Sequence, residues 1–366
     1  MKPKQIVKLV PSILLFFCLL LAIFLFFGPA LSFSSFENRT LKTKPQLSFQ
    51  SLWNGAYWRQ LEQYYRDHFP KRSNILKMGT KLEKKLGKKS EKDVSYGKDH
   101  YLLQKPVKLD KKQEQVVALN EFYQQLNYIN MTIMIVPNHI TVNPQLRQSH
   151  VDPGEEQKEL TAFYHNLKFN SIDLVQVLKG KNYPMYYKTD PHWTSYAAYY
   201  AYRAYCQSNN FNAYDLSDFD VENLPNQFYG TLYSKALEDS KEMDYLTVFH
   251  PKWIPQFEQQ LIVLDSSSKQ LPLYDTRYLS KQDKYHYFLG KNRDIITIQN
   301  QAAKNKQELL VLKDDSANAL LPFLSYHYQK ITVIDPQLYQ GDLVTYLKEH
   351  EEIKDILFVF AIDTFA

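Results

Sequence analysis

The chain has 366 residues, with 44 Lys and Arg against 39 Asp and Glu, for a formal charge of +5. Hydrophobic residues make up 44% and aromatics 15%, which excludes a disordered chain, and only 10 Gly exclude collagen-like or Gly-rich architectures. So mild a charge is not a nucleic-acid-binding profile, and two cysteines far apart, Cys18 and Cys206, make no disulfide framework.

Lys2, Lys4 and Lys8 precede an uncharged apolar run over residues 9–31. A helix of that length crosses a hydrocarbon core, which takes about 20 residues. The flanking lysines put residues 1–8 in the cytoplasm and everything after about residue 32 outside. A cleaved signal peptide, cut near Ala30-Leu31-Ser32, is the competing reading, but the apolar run is longer than such peptides carry.

Residues 32–110 read as a linker and a basic helical stalk. Within it, 51–69 carry Trp53, Tyr57, Leu61, Tyr64 and Tyr65 at helical spacing, and Pro70 ends the helix. Residues 71–92 hold nine Lys and Arg against Glu83 and Glu91, a net +7, so the remainder of the chain is near −2. That run is a solvated helix face or a contact with anionic lipid heads or an anionic wall polymer.

From about 111 to 366 helices and strands alternate. Helices are predicted over 113–129, 155–168, after Asp190, 317–328 and 343–350. Strands are predicted over 132–136, 309–313, 331–334 and 356–361, and a strand or turn over 171–178. Near-continuous apolar strands between helices argue for an α/β fold with a parallel sheet covered on both faces. Residues 212–290 are less regular and read as an insertion over the sheet.

Two segments carry chemistry. In Tyr187-Lys188-Thr189-Asp190-Pro191-His192-Trp193, a carboxylate and an imidazole lie two residues apart; Asp190 and Pro191 also suit a helix cap and first turn. In Leu312-Lys313-Asp314-Asp315-Ser316-Ala317-Asn318, a serine follows an apolar strand and opens a helix, which also suits a cap. Such a serine would lie on the sheet edge where open α/β folds bind ligands. Serine attacks well only when a histidine takes its proton, and the histidine needs a carboxylate to fix its tautomer. Asn138 and Asn292 close turns and have amides suited to an oxyanion; Trp193 offers a stacking face or a core residue. No metal-ligand spacing and no phosphate-binding glycine loop is present, so no metal and no cofactor are expected.

The segment around Asp190 resembles the signature of the DHHW protein family, related to alginate O-acetylation proteins with an SGNH-hydrolase-like domain. Glu37-Asn38-Arg39 with Asp67, Phe69, Pro70 and Arg72, Tyr96-Gly97-Lys98-Asp99, the segment 228–235, Phe288-Leu289-Gly290-Lys291-Asn292, and Lys313 to Leu320 (against KDSxANxL) resemble further family blocks, in order. The resemblance implies Ser316 as nucleophile, His192 as base and Asp190 as its partner, on a circularly permuted SGNH-hydrolase-like parallel sheet flanked by helices. It adds Gly290 and Asn318 to the candidate oxyanion or substrate-binding residues. Pro191 replaces a family histidine and Lys291 a family glycine. The implied function is a membrane-anchored O-acetyltransferase of a cell-surface or secreted polysaccharide, supplied with acetyl groups by a membrane-bound O-acyltransferase. A carbohydrate O-acetylesterase with the same triad, and a non-catalytic glycan-binding or assembly protein, are the alternatives.

Overall fold

The computed structural model describes residues 31–365 apart from 35, 38, 88–89, 92–93, 148–153, 237–241, 282 and 304, plus positions 11, 15, 16 and 23. The expected tail and membrane span, 1–31, therefore lie almost wholly outside the described residues. Among those residues no helix is long and apolar enough to cross a membrane. The chain forms two compact units, one of residues 1–88 with 237–239 and one of 89–236 with 240–366.

In the first unit, α1 (Phe49–Trp53) and α2 (Ala56–Asp67) replace the one helix expected. Gly55 separates them at φ +72, a left-handed conformation that costs glycine little. Past Pro70, α3 (Arg72–Lys85) follows. The residues of the expected N-terminal signature form one ion network. Arg39 holds Asp67 through two nitrogens at 2.6 and 2.9 Å and also reaches Glu37, which Arg72 pairs at 3.0 Å. The Arg39 guanidinium holds the Asp67 carboxyl down to about 2.

The second unit is built on an eight-stranded sheet. Its strands are β1 (Asn130–Val136), β2 (Asn170–Ile172), β3 (Ile262–Asp265), β4 (Gln270–Leu271), β5 (Ile295–Gln299), β6 (Asn305–Lys313), β7 (Tyr328–Ile334) and β8 (Ile353–Ala361), in the spatial order β4-β3-β5-β7-β6-β8-β1-β2. The five strands from β7 to β2 are parallel; β5, β3 and β4 extend that edge antiparallel. The region 212–290, expected to lie over the sheet, thus supplies two of its edge strands. The strands are apolar throughout because both faces are covered. Along β6, Leu309 and Val311 enter one core while Leu310 and Leu312 enter the other. Helices α4 (Lys112–Gln125), α5 (Gly154–His165) and α7 (Leu343–Glu349) cover the second face, and α6 (Ser195–Ser208), with buried Tyr199, Tyr202 and Tyr205, covers the first.

Two local expectations change. The helix after Asp190 begins at Ser195, capped by Thr194, so Asp190 is not its cap. The helix expected over 317–328 is a short 3-10 turn, Asp315–Ala319, a helical turn, Leu321–Leu324, and then β7.

Leu309 is fully buried at the centre of the sheet. Leu309→Ala should lower stability by about 2–5 kcal/mol, because the rigid surroundings of β6 leave a cavity. Urea unfolding followed by near-UV circular dichroism measures this; a midpoint within error of the parent chain would contradict the placement of β6.

Candidate active site

The carboxyl ends of β1, β6 and β8 meet a hairpin formed by residues 186–193. Tyr186 pairs with Trp193 across it, and the Tyr187 amide donates to the His192 carbonyl at 3.3 Å. Buried Asp244 fastens the tip, accepting from the amides of Lys188 and Thr189 (2.7 and 2.8 Å) and from the Thr189 hydroxyl. The 228–235 segment closes over it: the Gly230 amide donates to Thr189 Oγ1 and the Thr231 amide to Asp190 Oδ2 at 3.0 Å. A Cβ on Gly230 would fall 2.3–2.6 Å from Asp190 atoms, so the close approach requires glycine.

This packing buries Asp190 and gives its carboxylate three donors. They are the Thr231 amide, the His192 amide at 3.1 Å and His192 Nδ1 at 2.6 Å. Burial opposes ionisation of Asp190, but the adjacent His192 cation and those N–H groups hold it below the usual carboxylate range. The His192 ring stacks on Tyr285, centroids 3.8 Å apart. Burial alone would lower the imidazolium; Asp190 on one side and Asp315 on the other outweigh it and raise it well above its ordinary value.

Asp315 stands where a nucleophile would be expected. Its Oδ2 lies 3.5 Å from His192 Nε2. Ser316 lines the same cavity, of about 440 Å³, but its hydroxyl makes no hydrogen bond to a described residue. The Ser316 backbone is fixed: its amide donates to Asp314 Oδ1, and its carbonyl accepts from Trp193 Nε1 (2.7 Å) and the Tyr285 hydroxyl (2.9 Å). Asp314 in turn accepts from the Ala361 amide and Thr364 Oγ1, tying the turn to the end of β8. Of the expected three, His192 and Ser316 line this cavity and Asp190 is buried, paired to His192 Nδ1, while Asp315 faces the imidazole's other nitrogen.

The other candidates separate. Asn138 lines the cavity, yet its Nδ2 donates to Glu156 Oε2 (3.0 Å) and the Lys105 carbonyl, so its amide is spent on holding α5. Trp193 is fully buried and serves the Ser316 carbonyl, leaving no stacking face. Gly290 sits at φ +75 in a turn, with its amide donating to the His286 carbonyl, and is not on the cavity wall. Asn292 and Asn318 are joined by Lys313, whose buried Nζ donates to both Oδ1 atoms at 2.7 Å. Burial pushes that ammonium down to about 8. An ammonium only donates, so each amide must turn its oxygen to it. Asn292, on the cavity wall, thereby keeps its Nδ2 group for a ligand oxygen. Among the described residues no cluster of His, Cys, Asp or Glu could hold a metal.

Sequence reasoning missed Asp244, Thr231, Tyr285 and Asp315. The last was legible: set against KDSxANxL residue by residue, the pattern's serine falls on Asp315 and its variable position on Ser316.

Since the folded His192 value is raised above its unfolded one, near 6.5, its charge contributes stability that is fully present below about pH 6.5 and lost as pH rises through the raised value. Gly230→Ala displaces Asp190, and should bring the His192 titration down toward its ordinary value, since the carboxylate that holds the imidazolium moves away. NMR titration of the imidazole protons reads this directly; an unshifted curve would remove Gly230 from the site.

No curated protein matches the sequence significantly. Among solved structures, PatB1 of Bacillus cereus with a sulfonyl adduct superposes with a TM-score of 0.62 at 21% identity, over 73% of this chain and 94% of that one. A DHHW family protein from Eubacterium siraeum superposes with a TM-score of 0.56 at 21% identity, over 74% and 91%. Identities this low speak for the fold, an α/β architecture with a mainly parallel central sheet. The family model described as DHHW protein matches residues 95–334, well over half the sequence, and this chain belongs to that family.

Proposed function

We propose that this chain transfers acyl groups to the hydroxyls of a cell-surface polysaccharide, from the outer face of a membrane to which residues 9–31 anchor it. We read its fold as a circularly permuted SGNH-hydrolase-like domain, with the Asp/His block ahead of the Ser block. The observation that carries the reading is the 2.6 Å pair of Asp190 and His192, opening on a cavity that also holds Ser316. Such a pair is what a hydroxyl nucleophile needs. In the reaction Asp315 swings away from Nε2, His192 gives up the Nε2 proton to solvent, and Ser316 Oγ attacks the acyl donor. His192 takes the Ser316 proton and passes it to the leaving group. The acceptor hydroxyl then attacks the acyl-serine, and His192 removes its proton and returns it to Ser316 Oγ as the acyl–serine bond breaks; water in that place would make an esterase. The donor side needs a membrane-bound O-acyltransferase, since acetyl-CoA is cytoplasmic.

A second reading has its own observation. Asp315 occupies the place facing Nε2, and its carboxyl is held at about 2, where burial is outweighed by the His192 cation. A carboxylate there forms no stable acyl-enzyme, so the chain would bind polysaccharide without acylating.

The two readings give opposite outcomes with an activated ester or a sulfonyl fluoride on the full-length chain, followed by peptide mass mapping. Acyl transfer predicts an adduct on Ser316, absent in Ser316→Ala and slowed about a thousandfold or more by His192→Ala. The binding reading predicts no adduct on the parent chain and a new one in Asp315→Ser.

A further inference from the structure

The stalk that precedes the α/β unit has a feature that catalysis does not use. On α3, Ile75, Met78 and Leu82, with Leu86 just past its end, recur at i, i+3, i+7 and i+11, and are 52%, 73%, 59% and 79% exposed. They form one stripe. The helix packs by another face, where Thr80 is buried and Ser73 and Leu76 are half-buried. On α1, Phe49 and Trp53 stack at 6.3 Å between centroids and are both more than four-fifths exposed.

Charge indicates what covers these groups. Within α3 the cations are Arg72, Lys77, Lys81, Lys84 and Lys85 and the one acid is Glu83, so the helix carries 5 − 1 = +4. Two copies of a +4 helix repel each other, whereas an anionic lipid surface attracts both the lysines and the apolar stripe between them. Exposed tryptophans suit the headgroup level. Chain connectivity points the same way. Leu31, the last residue of the apolar run, accepts a hydrogen bond on its carbonyl from His68 Nε2 at 3.0 Å, and the Leu41 amide donates to the Ser32 carbonyl. His68 stands at the turn from α2 to α3, so the end of the apolar run is tied to this hairpin.

We propose that α1 and α3 lie in the headgroup region of an anionic bilayer, with Ile75, Met78, Leu82 and Leu86 immersed and Phe49 and Trp53 as aromatic anchors. This rests on the reading of residues 9–31 as an anchor. It makes the stalk a clamp against the outer leaflet rather than a free tether.

The test uses the full chain with Cys18→Ser, since the remaining Cys206 is buried. An environment-sensitive fluorophore is attached through Met78→Cys, or through Glu121→Cys on α4 as the comparison. The chain is placed in nanodiscs of phosphatidylcholine with and without phosphatidylglycerol. Expected is blue-shifted emission at position 78 and at least about twofold stronger quenching by nitroxide lipid than at 121, larger with phosphatidylglycerol and reduced by Ile75→Ser with Leu82→Ser. A label at 78 that reads like the one at 121, in a chain that stays with the disc, overturns the docking. So does a blue shift without nitroxide quenching, which would signal a protein partner or a second copy. A chain washed from the disc by carbonate overturns the anchor instead. The label is then read on added vesicles of the same lipids, where a water-like spectrum again overturns the docking.

Discussion

Asp190 is a carboxylate taken out of water, and the rest of the site follows from that. An unpaired ion in such a place costs several kcal/mol even after relaxation. Here it is offset by three N–H donors, of which the imidazole is one. Delivering them constrains everything nearby. The 186–193 hairpin must turn tightly enough to bring His192 back onto a side chain two residues earlier. Asp244 must hold Thr189, and position 230 must have no side chain at all. Tyr285 then serves twice, stacking on the His192 ring and donating to the Ser316 carbonyl, so that the imidazole and the Ser316 segment are fixed by one residue.

The second carboxylate changes what this pair does chemically. A triad histidine is neutral at rest and becomes imidazolium only as the nucleophile is attacked, so that stabilising the cation lowers the barrier. With Asp190 on Nδ1 and Asp315 on Nε2, the cation is already stabilised in the resting state. Stabilising ground and transition states alike gives no acceleration. Whatever Asp315 contributes to holding the imidazolium must be given back before Ser316 can be deprotonated. In the acyl-transfer reading, chemistry at Ser316 therefore depends on how easily Asp315, half-exposed on the cavity wall, leaves for solvent or for a ligand's cation.

Much of the fold was legible because its strands are apolar on both faces and separated by helical patterns. The strands β1, β6, β7 and β8 all contain the runs expected of them, since a buried parallel strand has little freedom to look like anything else. The misreadings have local causes. The helix expected at 51–69 is broken by Gly55, whose left-handed turn no periodicity announces. The helix expected at 317–328 runs on through residues that begin β7, because Leu, Phe and Tyr in a short run fit helix or strand equally. The edge strands β3 and β4 were obscured by their short length. In the site, Asp190 and His192 were legible as a pair, but Thr231 and Tyr285 act through a backbone amide and a ring face, and neither leaves a spacing signature.

The same burial argument sets the weight that the pair itself can carry as evidence of catalysis. Remove His192, and Asp190 is left as a buried charge with two amide donors and no cation; the fold would resist that change whether or not any acyl group is ever transferred. The contact of His192 with Asp190 thus serves stability as well as any chemistry. The departures from the family pattern fall elsewhere: Lys291 for a glycine, Pro191 for a histidine, Asp315 for a serine, and, in the Tyr96–Asp99 block, whose family form YGKDG ends in glycine, His100. At His100 the backbone still takes the left-handed conformation that glycine favours, at φ +63, so the scaffold persists while the side chain has changed. The carboxylate at 315 adds to the hold on the imidazolium, whereas the hydroxyl at 316, which meets no described partner, has no structural duty for its reactive atom.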